Sequence, residues 1–132
     1  MKFTHLFAVV VIMLTMSTAA QVDPIDRVTE LLGQGNVTEI AKLFAPDVEM
    51  TVMNQEDSYS KLQATAVLSK FFDAHKPKQV KLLHKVNSNK KFLFGVAILS
   101  STGGHYRIAY MLSETGNSMK IVEMRIEIEK TK

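Results

Sequence analysis

Leu43-Phe44-Ala45-Pro46-Asp47-Val48-Glu49-Met50 is the stretch that decides the fold. Its first half closes a helix. Val37, Ile40, Ala41, Leu43 and Phe44 recur at helical spacing, and Ala45-Pro46 ends the run, because the residue before a proline is pushed out of the helical region. Its second half alternates over 47–53: Val48, Met50 and Val52 fall on one face, Asp47, Glu49 and Thr51 on the other. That is the period of a half-exposed strand.

Upstream, Asp23-Pro24 reads as a cap followed by proline at the first helical position. Ile25, Val28, Leu31 and Leu32 then form an apolar stripe, and Gly33 is expected to stop this first helix. Asn36 with Glu39 opens the second in the manner of a capping box. Downstream, Asn54 to Ser58 reads as a polar loop, and Ser60 with Gln63 caps a third helix. Leu62, Val67, Leu68, Phe71 and Phe72 are expected on its inner face, and Lys76-Pro77 closes it.

The remainder reads as four strands. Val80, Leu82, His84 and Val86 share one face of the first. Phe92 to Leu99 is almost wholly apolar, as a strand covered on both faces would be. One set there is Phe92, Phe94, Val96 and Ile98; the other is Leu93, Gly95, Ala97 and Leu99. Which set faces out stays open, since one residue of slip exchanges them. Tyr106, Ile108, Tyr110 and Leu112 alternate with His105, Arg107 and Ala109. Val122, Met124, Ile126 and Ile128 alternate with Glu123, Arg125, Glu127 and Glu129. The predicted fold class is α+β: three N-terminal helices on a curved antiparallel sheet, in the order α-α-β-α-β-β-β-β.

With this order, the phrase from Leu43 to Met50, and a third helix opened by Tyr59-Ser60-Lys61-Leu62, the chain resembles the nuclear transport factor 2-like (cystatin-like) superfamily, in particular its small secreted branches of unknown function. The resemblance covers nearly the whole chain after residue 20. It implies a cone-shaped domain, often with a pocket at the open end and often paired through its sheet. The superfamily hosts enzymes and binders alike, so fold alone does not assign activity.

The chain has 132 residues, 46% apolar and 22% charged, with a net charge of +3. This is one globular domain's worth of sequence. It has no cysteine, which removes disulfides, thiolate metal sites and cysteine nucleophiles. Residues 1–20 read as a signal peptide: Lys2, an apolar run from Leu6 to Met16, then Ser17-Thr18-Ala19-Ala20. Cleavage is expected after Ala20, or after Ala19, leaving a single domain over 21–132 that is exported to the periplasm or outside the cell.

Chemistry is sparse in the pattern. In the steroid isomerase branch of the resembled superfamily the base is an aspartate near the end of the first strand. Here that position falls on Val52, which cannot move a proton. The weak catalytic candidate is His84, with Tyr106 or Tyr110 as partner in an isomerase- or dehydratase-type reaction. Tyr59, Phe72, His84, Tyr106 and Tyr110 are the candidate lining of a ligand pocket. His75, His84 and His105 show no metal-ligand spacing, and neither metal nor cofactor is expected.

Charge is uneven. From Gln21 to Ser60 there are eight acidic and two basic residues, and from Lys70 to Lys91 seven lysines against Asp73 alone. Lys76, Lys78, Lys81 and Lys85 are the candidates for an anionic partner. The plainer reading is an edge strand guarded by lysines. The expectation drawn from all this is an exported, non-catalytic domain, a homodimer through its sheet face, with a small apolar or amphipathic ligand in the cone. Its alternatives are the His84 enzyme and an envelope module using the lysines. Nucleic acid and a retained membrane span are not expected.

Overall fold

The computed structural model describes residues 22–130; the leader assigned to 1–20 lies outside them. Asp23 caps α1 (Pro24–Gln34), its carboxylate accepting from the N–H of Ile25 at 2.8 Å and of Asp26 at 3.3 Å. The helix runs past Gly33 and ends at Gly35, whose φ of 63° supplies the left-handed cap. Gly33 has a different use: a Cβ there would lie 2.5 Å from Val80 Cγ1, so its bareness lets the helix approach the sheet. Asn36 caps α2 (Val37–Leu43), accepting from Glu39 N–H at 3.2 Å. The chain then passes directly into β1 (Phe44–Val52), which starts before Pro46 and not after it.

The stretch read as a polar loop is a strand. β2 (Gln55–Ser60) pairs antiparallel with β1 across the two-residue turn Met53-Asn54, with φ of 49° and 76°. Left-handed turns of this kind match the twist of the strands they join. β2 is an edge strand, exposed at every residue but Tyr59, so it carries no apolar alternation to announce it. Ser60 and Gln63 then cap α3 (Lys61–Ala74) reciprocally, at 3.2 and 3.0 Å. Leu68, Phe71 and Phe72 face the core as expected, but Leu62, in the first turn, is 81% exposed.

β3 (Pro77–Asn89), β4 (Phe92–Ser101), β5 (Gly104–Thr115) and β6 (Ser118–Ile128) complete a six-stranded sheet in the order β2-β1-β6-β5-β4-β3. β1 and β6 run parallel and every other pair antiparallel. The expected α+β cone is therefore present, with one more strand and one parallel pair. The sheet is curved and unclosed, with three helices packed on it. Among the described residues no helix is long and apolar enough to cross a membrane.

The register of β4 is settled by its partners. Leu93, Gly95, Ala97 and Leu99 lie opposite Leu112, Tyr110, Ile108 and Tyr106 on the helix-covered face. Phe92, Phe94, Val96 and Ile98 face out. Bulges break the expected alternation elsewhere. On β3, Leu82 opposes Ala97 and His84 opposes Val96, so Leu83 is an extra residue. On β6, Leu112 opposes Ile121 and Met111 opposes Glu123, so Val122 is extra. Each bulge bends its strand and exchanges faces beyond it. Ile121, Met124 and Ile126 are the buried residues of β6, while Val122 is only half-buried.

The bulge at Leu83 also turns Lys85 to the helix side. Its ammonium lies 3.3 Å from Asp26 and 3.7 Å from Asp23, fastening β3 to the start of α1. Burial alone would raise the pKa of Asp23. The N–H groups of Ile25 and Asp26, with Lys85 and Asn87, outweigh that and hold it below 3.8. A carboxyl held low contributes stability that is present above 3.8 and lost as pH falls through its folded value. Asp23→Ala is therefore expected to cost about 1 kcal/mol at neutral pH, as lost caps do. Its urea midpoint should approach that of the parent in acid, where the parent's carboxyl is protonated too.

Candidate functional site

The core has one polar insertion. Thr29 Oγ1 donates to the Ile25 carbonyl at 2.8 Å and bonds the hydroxyl of Tyr110. A threonine hydroxyl has one hydrogen, so Tyr110 must be the donor to Thr29. The chain Tyr110–Thr29–Ile25 is thus fully satisfied inside the protein. No buried side-chain nitrogen or oxygen among the described residues lacks a partner. Burial pushes the Tyr110 phenol up to about 12, with the Asp26 and Asp23 charges acting the same way and the Thr29 bond against it. The Tyr110 side chain is fully buried, and the residue also borders a cleft on the outer sheet face with Phe94, Met111, Glu123 and Arg125. Phe72 is buried, edge-on to Phe71 with ring centroids 5.5 Å apart, and borders a separate cleft with Gly35, Ser69, Asp73 and Pro77.

A cavity of about 310 Å³ opens between the β1–β2 hairpin and α3. The hairpin supplies Val52, Met53, Gln55 and Tyr59; the helix supplies Val67, Lys70, Phe71 and Ala74, with His75 at its C-terminal cap. Met53 sits in the left-handed turn, which fixes where its side chain leaves the backbone. His75 Nδ1 is 2.9 Å from the Tyr106 hydroxyl. The Phe71, His75 and Tyr106 rings form one cluster, with centroids 4.7 to 5.1 Å apart. The β4–β5 turn covers the far side: Thr102 N–H donates to the Lys76 carbonyl at 3.1 Å, and a Cβ on Gly103 would lie 3.3 Å from His75 Nδ1.

Of the pocket residues expected from sequence, Tyr59 lines this cavity and Tyr106 stands directly behind it. His84 does not belong to it. The Leu83 bulge places His84 opposite Val96 on the outer face, exposed, whereas Tyr106 and Tyr110 are on the inner face. The expected pairing of His84 with either tyrosine is thereby corrected. The histidine that does meet Tyr106 is His75, which the sequence reading left without a role. Its nearest signal was its place as the residue closing α3. Among the described residues no group of three or more histidines and carboxylates is arranged to hold a metal.

The lysines divide. Lys76, Lys78 and Lys81 are exposed along the α3–β3 junction and the β3 edge, Lys76 only loosely facing Asp73 at 4.0 Å. Lys85 is committed to Asp23 and Asp26. On the outer sheet face, Val86, Phe94, Met111, Glu123 and Glu49 form one row across five strands. His84, Val96, Ala109, Arg125 and Thr51 form the next. That face is mixed over β3 to β5, where Val86, Phe94, Ile98 and Met111 lie among Lys81, His84 and Arg107, and is charged over β6 and β1.

This architecture places the chain in the nuclear transport factor 2-like, cystatin-like fold class. Residues 25–127 match the family described as "Domain of unknown function (DUF4783)", and the chain belongs to that family. Among curated proteins none matches. A DUF4783 family protein from Bacteroides uniformis is similar at 21% identity over 83% of this chain and 100% of the other, with a TM-score of 0.78. A structure named Rd1NTF2_04 with long sheet is similar at 17% identity, covering 76% and 94%, TM-score 0.62. A cystatin-like fold domain of unknown function from Nostoc punctiforme is similar at 9% identity, covering 78% and 71%, TM-score 0.61. These likenesses establish the fold and carry no activity with them.

Proposed function

We propose that this chain is an exported, non-catalytic domain that holds a small, partly apolar ligand in the cavity between the β1–β2 hairpin and α3. The observation that carries the reading is the lining of this cleft, one of several of about 310 to 400 Å³: Val52, Met53, Val67 and Phe71, with a few polar groups at the margin. Small-molecule sites have this size and this balance. Val52 stands in the cavity wall where the resembled isomerases have their base, which supports binding over proton transfer. Export rests on the leader pattern of 1–20. The test is native mass spectrometry of the protein recovered from its source. A mass beginning at Gln21 or Ala20, with a retained small molecule that Val67→Phe abolishes, is the expected result. A ligand-free protein that begins at Met1 would overturn it.

Pairing of two copies through the outer sheet face is a second part of the reading, favoured by one observation. Phe94, Ile98 and Met111 lie half-exposed there beside Arg107, Arg125, Glu123 and Glu127. A two-fold contact would set this apolar patch against itself, while Arg107 and Arg125 face Glu129 and Glu127 of their own chain at 3.6 and 3.7 Å. Sedimentation at tens of micromolar should report a dimer, and Phe94→Glu a monomer. A parent protein that sediments only as monomer would remove this part.

A further inference from the structure

The polar groups at the rim of the cavity have one sign. Lys70 is the only lysine, arginine or carboxylate among its lining residues, and the others with polar atoms are Gln55, Tyr59 and His75. Asp73, on the same helix, lines a different surface with Gly35 and Pro77. The nearest carboxylate by strand register is Asp57, on the β2 face between Gln55 and Tyr59, and it is exposed and accepts from Ser58 N–H at 2.8 Å.

His75 adds a second donor. Its Nδ1 bonds the phenol of Tyr106, a group nearly enclosed by protein. A phenol donates more readily than a neutral imidazole N–H, so Nδ1 accepts and the ring hydrogen is left on Nε2. The Gly103 turn lies against Nδ1 and Cε1, which leaves Nε2 as the ring nitrogen available to the cavity. A cation and an N–H donor lining the same cleft are the complement of a carboxylate head group. The rest of the wall is aliphatic, aromatic or thioether, and Met53 is a side chain that adapts to the shape of an alkyl group.

We infer that the cavity selects an amphipathic carboxylate, its head held by Lys70 and His75 Nε2–H and its alkyl tail against Val52, Met53, Val67 and Phe71. The inference rests on the cavity being a binding site and adds the charge and form of what it takes. It assigns His75 a positioning partner in Tyr106, which holds the ring in the donor tautomer.

The experiment is an amide NMR titration of the purified protein at neutral pH with octanoate, 1-octanol and octylamine, which share a tail and differ in head group. Octanoate is expected to shift Val52, Val67, Phe71 and His75 and to bind at least tenfold tighter than 1-octanol, with octylamine weakest. Lys70→Met, an exposed substitution that leaves the core alone, should remove the preference for octanoate over 1-octanol. Asp57→Asn should tighten octanoate several-fold. If 1-octanol shifts the same residues and binds as well as octanoate, or if Lys70→Met leaves octanoate unchanged, the carboxylate assignment fails while the cavity stands. If none of the three probes shifts the cavity residues, the binding reading fails with it.

Discussion

Gly95→Ala is expected to lower the unfolding free energy by about 3 kcal/mol, the upper part of the range for overpacked cores, and Gly95→Val to leave the chain largely unfolded. Gly95 faces the core on β4, directly opposite Tyr110. A Cβ there would lie 2.7 Å from Tyr110 Cε2, 2.9 Å from Tyr110 Cζ and 2.9 Å from Ile25 Cγ2. None of these can yield cheaply. Tyr110 and Ile25 are fully buried, and the phenol is tied to Thr29, which is tied to Ile25. Moving the ring breaks that chain, and moving Ile25 shifts α1 against the sheet. Gly33→Ala is the informative contrast. Its clash is with Val80 Cγ1 at 2.5 Å and Cβ at 3.1 Å, on a half-buried residue of the edge strand β3 that can shift outward, and the change gains about 1 kcal/mol of helix propensity. Urea midpoints should fall far more for Gly95→Ala than for Gly33→Ala. Equal losses would mean that the Tyr110 ring is free to move.

Period and capping carried most of the fold, and curvature is what they missed. The caps at Asp23, Asn36 and Ser60 are local chemistry, written in consecutive residues, and each forms, although at Asn36 the expected box is one-sided because the Glu39 carboxylate turns to Lys42. Leu83 and Val122 look like ordinary members of alternating runs. A bulge costs the sequence nothing visible, because an extra valine or leucine is as good a strand former as its neighbours. Yet the extra residue at Leu83 sends His84 outside and Lys85 inside, reversing the chemistry assigned to both. β2 escaped for the opposite reason: an exposed edge strand has no buried face to impose a pattern. The cavity follows from these two misses. One wall is the unforeseen hairpin, and the other carries His75, whose partner Tyr106 is distant in sequence and reached only through sheet register. Tyr59 and Tyr106 were legible as inward aromatics; what they surround was not.

Tyr110 should make the protein sensitive to alkali in a way that a single hydroxyl controls. The unfolded phenol ionises near 10.0 and the folded one near 12, raised first by burial. A group whose pKa is raised on folding contributes stability that is complete below the unfolded value and is lost as pH rises through the folded one. One pH unit is worth about 1.4 kcal/mol, so the parent is expected to lose roughly 2 kcal/mol from this phenol by pH 12. Tyr110→Phe removes the ionisation and keeps the ring. It leaves Thr29 donating to the Ile25 carbonyl, so nothing buried is orphaned, and it should cost only about 1 kcal/mol at neutral pH, the worth of one net hydrogen bond. The two stability curves must then cross between pH 10 and 12, with the phenylalanine variant the more stable at the alkaline end. Urea midpoints across this range, with phenolate absorbance recorded alongside, decide it. Parallel curves, or three tyrosines ionising together in the folded parent, would show that water reaches the Tyr110 hydroxyl and that the sealed chain to Ile25 is wrong.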